Sequence, residues 1–109
     1  MGRRQGKGAL MAEITYLEAI REALDEEMAR DPDVFMLGED IGAFGGAFKV
    51  TEGLMAKYGE QRVIDSPISE QAIVGSAIGA SYMGMRPVCE IQFIDFIACC
   101  FDMLTNFAA

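Results

Sequence analysis

The segment RVIDSPISE, residues 62–70, predicts a strand that passes directly into a helix. Arg62 to Asp65 forms the strand, and Ser66-Pro67 ends it because proline has no backbone N–H for a sheet ladder. Ser69 is placed to cap a helix that runs to about Met83. A short strand joined to a helix in this way is the unit from which parallel α/β sheets are built.

The residues before this unit predict two more helices and one more strand. Thr15 and Glu18 form a T-x-x-E capping box at the start of a first helix, which Asp31-Pro32 ends. Val34 to Leu37 is a short continuous apolar run, as expected for a parallel strand covered on both faces. A short helix over residues 51–57, capped by its threonine, follows.

After the unit, Val88 to Phe93 predicts a third strand, and from Phe96 to the last residue the pattern is helical but apolar nearly all round. Such a helix is expected to be buried on every side, inside a larger domain or against another subunit. The alternation predicts an α/β fold with a parallel sheet flanked by helices. We expect residues 1–12 to be a disordered leader and residues 13–109 to be the first part of an incomplete domain.

Composition narrows the class of protein. The 109 residues fit one domain, and the net charge of −8 argues against nucleic acid and anionic membranes as partners. No apolar run reaches the roughly 18 residues that a membrane span needs. Cys89, Cys99 and Cys100 occur without any histidine, which fits neither a disulfide framework nor a zinc site. We expect reduced, buried thiols in a cytoplasmic protein, and no Ser-His-Asp or Cys-His mechanism from this chain alone.

Acidic residues follow all three predicted strands, at Glu39 and Asp40, at Asp65 and Glu70, and at Asp95. Ligands of an open parallel sheet bind at the carboxyl ends of the strands, so these acids are candidates for a site. Glu70 is the first candidate, because the start of its helix favours the ionised form and a carboxylate there can accept a hydrogen bond and exchange a proton. The alternative is that these acids only cap the following helices.

Other polar features near the strand ends carry weaker signals. Glu39 and Asp40 could ligate a divalent cation, but two adjacent acids are more often a strand end that faces water. Glu90 and Gln92 share one face of a strand that we expect to be central, where a buried structural network would explain them. The glycines at 42, 45 and 46 lack the spacing of a phosphate loop.

Four segments of the chain form a specific combination: VFMLGED at 34–40, GGAFKVTEGL at 45–54, RVIDSPISE at 62–70 and GMRPVCEIQF at 84–93. Together they resemble the beta subunits of thiamine-diphosphate-dependent 2-oxoacid dehydrogenases of the pyruvate, branched-chain and acetoin types. The resemblance covers about residues 13–109. It implies the N-terminal part of a pyrimidine-binding domain of the thiamine-diphosphate fold, incomplete in this chain.

The resemblance also implies roles for individual residues in binding thiamine diphosphate. Glu70 matches the glutamate that hydrogen-bonds a ring nitrogen of the aminopyrimidine, where its charge favours the imino tautomer that removes the thiazolium proton. Phe96 matches the aromatic residue that packs on the aminopyrimidine, and Ile68 lies on the same wall. Glu39 matches an acid that lines the passage between paired active sites, and Gln92 is expected among the cofactor-binding residues.

Two motifs that the family uses are missing from this chain. The Gly-Asp-Gly…Asn motif that holds magnesium and diphosphate is absent, which the family explains by placing it on the alpha subunit. The catalytic histidine of the beta subunit lies past residue 109. We therefore expect no metal ligands here, magnesium held by the partner subunit, and no activity from this chain alone.

The function that the resemblance implies is oxidative decarboxylation of a 2-oxoacid, of the branched-chain or pyruvate type, with transfer of the acyl group to lipoamide. The implied partners are an alpha subunit, in a heterotetramer for the full protein, and the lipoyl-bearing acyltransferase of the complex. The alternative is a truncated, catalytically silent module that binds an alpha-type subunit. A transketolase-like enzyme is a third possibility, which the segments at 49–54 and 92–95 disfavour.

Overall fold

Helices and strands alternate along the chain in the predicted order. The computed structural model describes residues 13–109, so the expected leader at residues 1–12 lies outside the described part of the chain. The elements are α1 (Tyr16–Arg30), β1 (Val34–Glu39), α2 (Leu54–Tyr58), β2 (Val63–Ser66), α3 (Glu70–Tyr82) and β3 (Arg86–Glu90), followed by a 3₁₀ helix (Ile94–Cys100) and a π-helical segment (Met103–Ala108).

The strands form one parallel sheet in the order β2-β1-β3, which confirms the predicted α/β class. Residues 34–38 of the central strand β1 are all buried, as the continuous apolar run predicts. Alternate side chains of β1 point to opposite faces. On one face Met36 belongs to a core cluster with Met28 of α1, and on the other Leu37 belongs to a cluster with Ile73 of α3.

The first helix begins and ends as the sequence predicts. Thr15 Oγ1 accepts a hydrogen bond from the N–H of Glu18 at 3.1 Å, and the N–H of Thr15 donates to Glu18 Oε1 at 3.0 Å. This capping box satisfies two backbone N–H groups at the helix start. The helix ends at Arg30, directly before Asp31-Pro32.

The caps of the other two helices differ from the prediction. α2 begins after Gly53, whose φ of 86° lies in the left-handed region, so Thr51 is not its cap. The fully buried Thr51 hydroxyl instead donates to the carbonyl oxygen of Ile41 at 2.8 Å and ties the two ends of the glycine-rich loop together. Ser69 does precede α3, but its side chain makes no capping hydrogen bond, because its ψ of 88° departs from the usual conformation of a cap.

The third strand begins and ends earlier than predicted. β3 (Arg86–Glu90) pairs in parallel with residues 34–38 of β1, and this pairing sets both of its ends. The predicted strand over residues 88–93 is therefore wrong at both ends, and Gln92 lies beyond the strand. Within residues 13–109, β3 is an edge strand, so the central position expected for it in the complete domain stays a prediction.

The C-terminal segment, residues 94–108, is helical but not buried on every side. Phe101 is 59% exposed and Phe107 is 51% exposed within the described residues, so the expected burial against a larger domain or another subunit stays a prediction. One side of the segment approaches α3 closely, since a Cβ built on Gly75 would lie 3.2 Å from Met103 Sδ. The apolar side that faces away from α3 is open to a covering chain.

The cysteine side chains are free thiols in three different environments. Cys100 is buried, Cys89 is half-buried and Cys99 is exposed. The expectation of buried thiols is therefore wrong for Cys99. Among residues 13–109, the helices are too short or too polar to cross a membrane.

Arg62 ties the turn between α1 and β1 to the start of β2. Its guanidinium donates hydrogen bonds to the carbonyl oxygens of Met28, Asp31 and Val34 at 2.8 to 3.1 Å. Removing these donors takes one hydrogen-bond partner from each of three partly buried carbonyl groups. We therefore expect Arg62→Met to lower the free energy of unfolding by about 2–4 kcal/mol, measured by urea denaturation.

Arg30→Met is the matched control for this prediction. The exposed guanidinium of Arg30 pairs with Glu27 on the surface of α1, where an ion pair contributes little. The midpoint of the unfolding transition is expected to stay unchanged in the control. Equal losses of stability in the two variants would contradict the role assigned to Arg62.

Candidate functional site

Two glutamates lie at the carboxyl edge of the sheet, where β1, β2 and α3 meet. Glu39 is the last residue of β1 and is paired in register with Ser66, the last residue of β2. Only residues 67–69 separate β2 from α3, so Glu70 begins the helix at this edge. The strand-to-helix segment thus places one carboxylate in the first turn of a 13-residue helix, where the helix dipole favours negative charge.

The carboxylates at this edge influence one another. Partial burial raises the pKa of Glu39, and the carboxylates of Glu70 and Asp40 raise it further. Burial also raises the pKa of the half-buried Glu90, with a contribution from Glu39. Electrostatic coupling therefore runs from Glu70 through Glu39 to Glu90. Because two of these pKa values are raised, the edge holds a proton more readily than isolated surface glutamates do.

Gln92 and Ile68 lie beside this carboxylate edge. Gln92 Nε2 is 3.5 Å from the carbonyl oxygen of Glu39, at the upper limit for a hydrogen bond. Ile68 occupies the turn between β2 and α3 and is 76% exposed. An isoleucine so exposed, two residues before Glu70, is an apolar surface that a ligand or another chain can cover.

Phe96 lies in the 3₁₀ helix of the C-terminal segment, and this 3₁₀ helix contacts α3. Its ring contacts Phe93 edge to face with 5.8 Å between ring centroids, and Phe93 contacts Phe48 in the same way at 5.6 Å. Phe48 and Phe93 were not predicted as site residues. The available signal was an aromatic residue in the glycine-rich loop and another after a strand, but nothing local indicates that they meet.

The glycine-rich loop between β1 and α2 directs its backbone N–H groups into the protein. The N–H of Gly42 donates to the carboxylate of Asp65 at 2.7 Å, and the N–H of Gly46 donates to the carbonyl oxygen of Asp40 at 2.7 Å. The N–H of Thr51 likewise donates to the carbonyl oxygen of Gly45 at 3.0 Å. These donors are engaged, so they do not form an anion cradle.

A hollow of about 420 Å³ lies between α1 and α2, away from the carboxylate edge. None of the predicted site residues lines it. Asp25 in this hollow binds Lys57 at 2.8 Å, and that hydrogen bond, followed by one from Tyr58, lowers the pKa of Asp25. Lys57 and Asp25 in this hollow pair with each other, whereas the predicted residues lie at the carboxyl edge. We therefore place the candidate site at that edge, next to a smaller cavity of about 210 Å³ between β2 and α3.

Residues 12–109 match the protein family described as the transketolase, pyrimidine binding domain. The chain belongs to this family. The match covers all of the described residues, and the parallel sheet with its acidic carboxyl edge agrees with the resemblance found in the sequence.

Curated relatives of this pyrimidine-binding domain include beta subunits of three dehydrogenases. The acetoin:2,6-dichlorophenolindophenol oxidoreductase subunit beta of Cupriavidus necator is 54% identical over 101 residues, covering 84% of this chain and 30% of the relative. The 2-oxoisovalerate dehydrogenase subunit beta of Bacillus subtilis is 50% identical over 99 residues, covering 91% of this chain and 30% of the relative. The pyruvate dehydrogenase E1 component subunit beta of Chaetosphaeridium globosum is 48% identical over 96 residues, covering 88% of this chain and 29% of the relative. The chain thus spans less than a third of the length of these relatives.

The side chains at the carboxyl edge of the domain suit an aminopyrimidine ring. Such a ring has N–H donors on its edge and flat apolar faces. Glu70 supplies an acceptor, Phe96 a partly exposed aromatic face, and Ile68 an exposed aliphatic surface. The structure brings Glu70 and Glu39 within electrostatic reach and places Gln92 against Glu39. The cofactor-binding roles of all five residues stay predictions.

Proposed function

We propose that this domain supplies the aminopyrimidine half of a thiamine-diphosphate site in the beta subunit of a 2-oxoacid dehydrogenase. The observation that carries the proposal is the position of Glu70, in the first turn of α3 and coupled to Glu39, within a chain of the pyrimidine-binding family. The names of the relatives, which include pyruvate and 2-oxoisovalerate dehydrogenase beta subunits, support the same assignment.

Each predicted residue has a distinct task in this proposal. Glu70 accepts a hydrogen bond from a ring N–H of the aminopyrimidine, and its negative charge stabilises a proton on that nitrogen. Phe96 and Ile68 cover the faces of the ring and exclude water from it. Glu39, whose pKa is raised, gives the proton a second place to reside, and Gln92 extends the polar edge beside it. Bound thiamine diphosphate supplies a nucleophilic carbon and an electron sink for decarboxylation.

The partner subunit holds the diphosphate and its magnesium ion in this proposal. Mg²⁺ prefers several oxygen ligands in octahedral geometry. Within residues 13–109, no three His, Cys, Asp or Glu side chains are grouped so that they could hold a metal ion. The N–H groups of Gly42 and Gly46 are engaged inside the protein. We therefore assign that half of the site to an alpha-type subunit in a heterotetramer.

We propose oxidative decarboxylation of a branched-chain 2-oxoacid or pyruvate as the reaction. The acyl group then passes to lipoamide on a lipoyl-bearing acyltransferase, the second partner. The names of the relatives span both substrate types, and their similarity to this chain is nearly equal. Cytoplasmic localisation stays a prediction from the free thiols, and two rice relatives are named as mitochondrial.

A catalytically silent binding module is the alternative function. It is favoured by the apolar side chains that the domain exposes near α3 and the C-terminal segment, among them Tyr82, Met83, Phe101 and Phe107. Apolar surface of this kind marks a contact with another chain whether or not catalysis occurs.

One reconstitution separates the two functions. The complete beta-type subunit that carries these residues is co-expressed with its alpha-type partner, and CO₂ release is measured with pyruvate and with branched-chain 2-oxoacids. Decarboxylation that requires both thiamine diphosphate and magnesium is the expected result. A stable complex that binds the alpha-type subunit but releases no CO₂ from any of these acids would favour the silent module.

A further inference from the structure

Three phenylalanine rings at the surface contact one another in the order Phe48, Phe93 and Phe96, and the middle one follows Gln92 in the sequence. Phe48 and Phe93 lie 5.6 Å apart between centroids at 79°, and Phe93 and Phe96 lie 5.8 Å apart at 83°. Both pairs have the distance and angle of favourable edge-to-face contacts. The three rings are between 40% and 58% exposed, and an exposed side chain of this size keeps rotamer freedom unless a neighbour holds it.

Phe48 is held firmly, because the backbone on both sides of it is fixed. The N–H of Lys49 donates to the carbonyl oxygen of Gly46 at 3.0 Å. The guanidinium of Arg21, on α1, donates to the carbonyl oxygens of Lys49 and Val50. The glycine-rich loop therefore presents the Phe48 ring from a rigid support.

Phe93 is linked to Phe96 in two ways. The N–H of Phe96 donates to the carbonyl oxygen of Phe93 at 3.0 Å, which starts the 3₁₀ helix. The two rings then meet nearly at right angles. A T-shaped contact covers at most one face of the Phe96 ring, and the 40% exposure of this residue leaves surface for a flat ligand.

We propose that Phe93 is a positioning residue for the cofactor, which holds the ring of Phe96 in the orientation that receives the aminopyrimidine and connects it to the glycine-rich loop through Phe48. This inference rests on the proposed function. Phe93 acts through Phe96 and does not itself contact the ligand. Because the Phe96 ring is already fixed before the cofactor binds, less conformational entropy is lost on binding, and the affinity for the cofactor is higher.

The test uses the complete beta-type subunit assembled with its alpha-type partner, titrated with thiamine diphosphate and magnesium in a calorimeter. Phe93→Leu, which keeps apolar volume but removes the ring, is expected to weaken binding about three- to tenfold. The rate constant kcat at saturating cofactor should change less than twofold, since Glu70 is untouched. Phe93→Tyr keeps the ring and its contacts, and is expected to bind the cofactor like the wild type.

A double-mutant cycle separates positioning from general packing. If Phe93 acts through Phe96, the variant Phe93→Leu/Phe96→Leu binds the cofactor no more weakly than Phe96→Leu alone. Additive losses would overturn the inference. Normal binding by Phe93→Leu, with weakened binding by Phe96→Leu, would overturn it while leaving the proposed function intact. Normal binding by Phe96→Leu would overturn both the inference and the proposed role of Phe96.

Two further variants keep the test decisive. Phe48→Leu removes the ring that contacts Phe93 from the glycine-rich loop, at a position that is half-exposed, so it serves as the test if Phe93→Leu fails to assemble. It is also expected to weaken cofactor binding. Normal cofactor binding by Phe48→Leu would overturn the inference. Phe44→Leu is the matched control, since Phe44 lies in the same loop, is 56% exposed, and contacts Lys49 rather than Phe93. It is expected to bind normally; a loss equal to that of Phe48→Leu would show a general effect of the loop and overturn the inference.

Discussion

Glu70→Gln in the assembled enzyme is expected to lower 2-oxoacid decarboxylation by about a hundredfold or more while the enzyme still binds thiamine diphosphate. Glutamine keeps the size of the side chain and a hydrogen-bond acceptor, but it lacks the charge that stabilises a proton on the ring nitrogen. Glu70 lies in the first turn of α3, where the helix dipole interacts favourably with a negative charge, so the substitution removes a charge from a position that suits it. CO₂ release at saturating substrate and a calorimetric titration with cofactor measure the two quantities.

Two variants define what this loss means. Glu70→Asp keeps the charge but shortens its reach, so its activity is expected to fall between those of the wild type and Glu70→Gln. Glu60→Gln is the matched control, because Glu60 is exposed before β2, at the opposite end of that strand from the site, and is expected to have no effect on turnover. Near-normal turnover of Glu70→Gln would refute the proposed mechanism.

The parts of the fold that depend on neighbours in sequence were predictable. The Thr15–Glu18 capping box lies within one helical turn, so the pattern alone indicates its geometry. The apolar run at 34–37 indicates a buried parallel strand, and Ser66-Pro67 indicates where β2 ends. The position of Glu70 at the helix start follows from the same local signals.

The parts that depend on distant contacts were not predictable. The ends of β3 are set by its pairing with β1, and that register is absent from the sequence around residues 88–93. The sequence around Thr51 is typical of a helix cap, but the Thr51 hydroxyl donates its hydrogen bond to the carbonyl oxygen of Ile41 instead. The contact between Phe48 and Phe93 likewise joins a loop to the residue before the 3₁₀ helix, far along the chain. The candidate site was therefore predictable as a carboxylate edge, but not as an edge with an aromatic support.

The 109-residue chain without a partner is expected to bind thiamine diphosphate with a dissociation constant in the millimolar range, about a thousandfold weaker than micromolar binding. Most of the charge of this ligand is on its diphosphate. Residues 13–109 contain no group of three acidic or other ligating side chains that could hold a metal ion. The N–H groups of Gly42 and Gly46 already donate hydrogen bonds within the protein. One hydrogen bond to the charged Glu70 contributes roughly 1.5–3 kcal/mol. The aromatic face of Phe96 adds about 1 kcal/mol. Together these contributions fall short of the ~8 kcal/mol that micromolar affinity requires.

Titrating the chain with cofactor and magnesium, first by itself and then in complex with an alpha-type subunit, measures this difference directly. A gain of about a thousandfold in the complex is expected, because the partner supplies the charge neutralisation that Glu70 and Phe96 lack. The gain should vanish when magnesium is chelated, since the metal then no longer joins the diphosphate to the partner. Micromolar affinity of the chain by itself would place the diphosphate site within this domain, and the assignment of that half of the site to another subunit would be wrong.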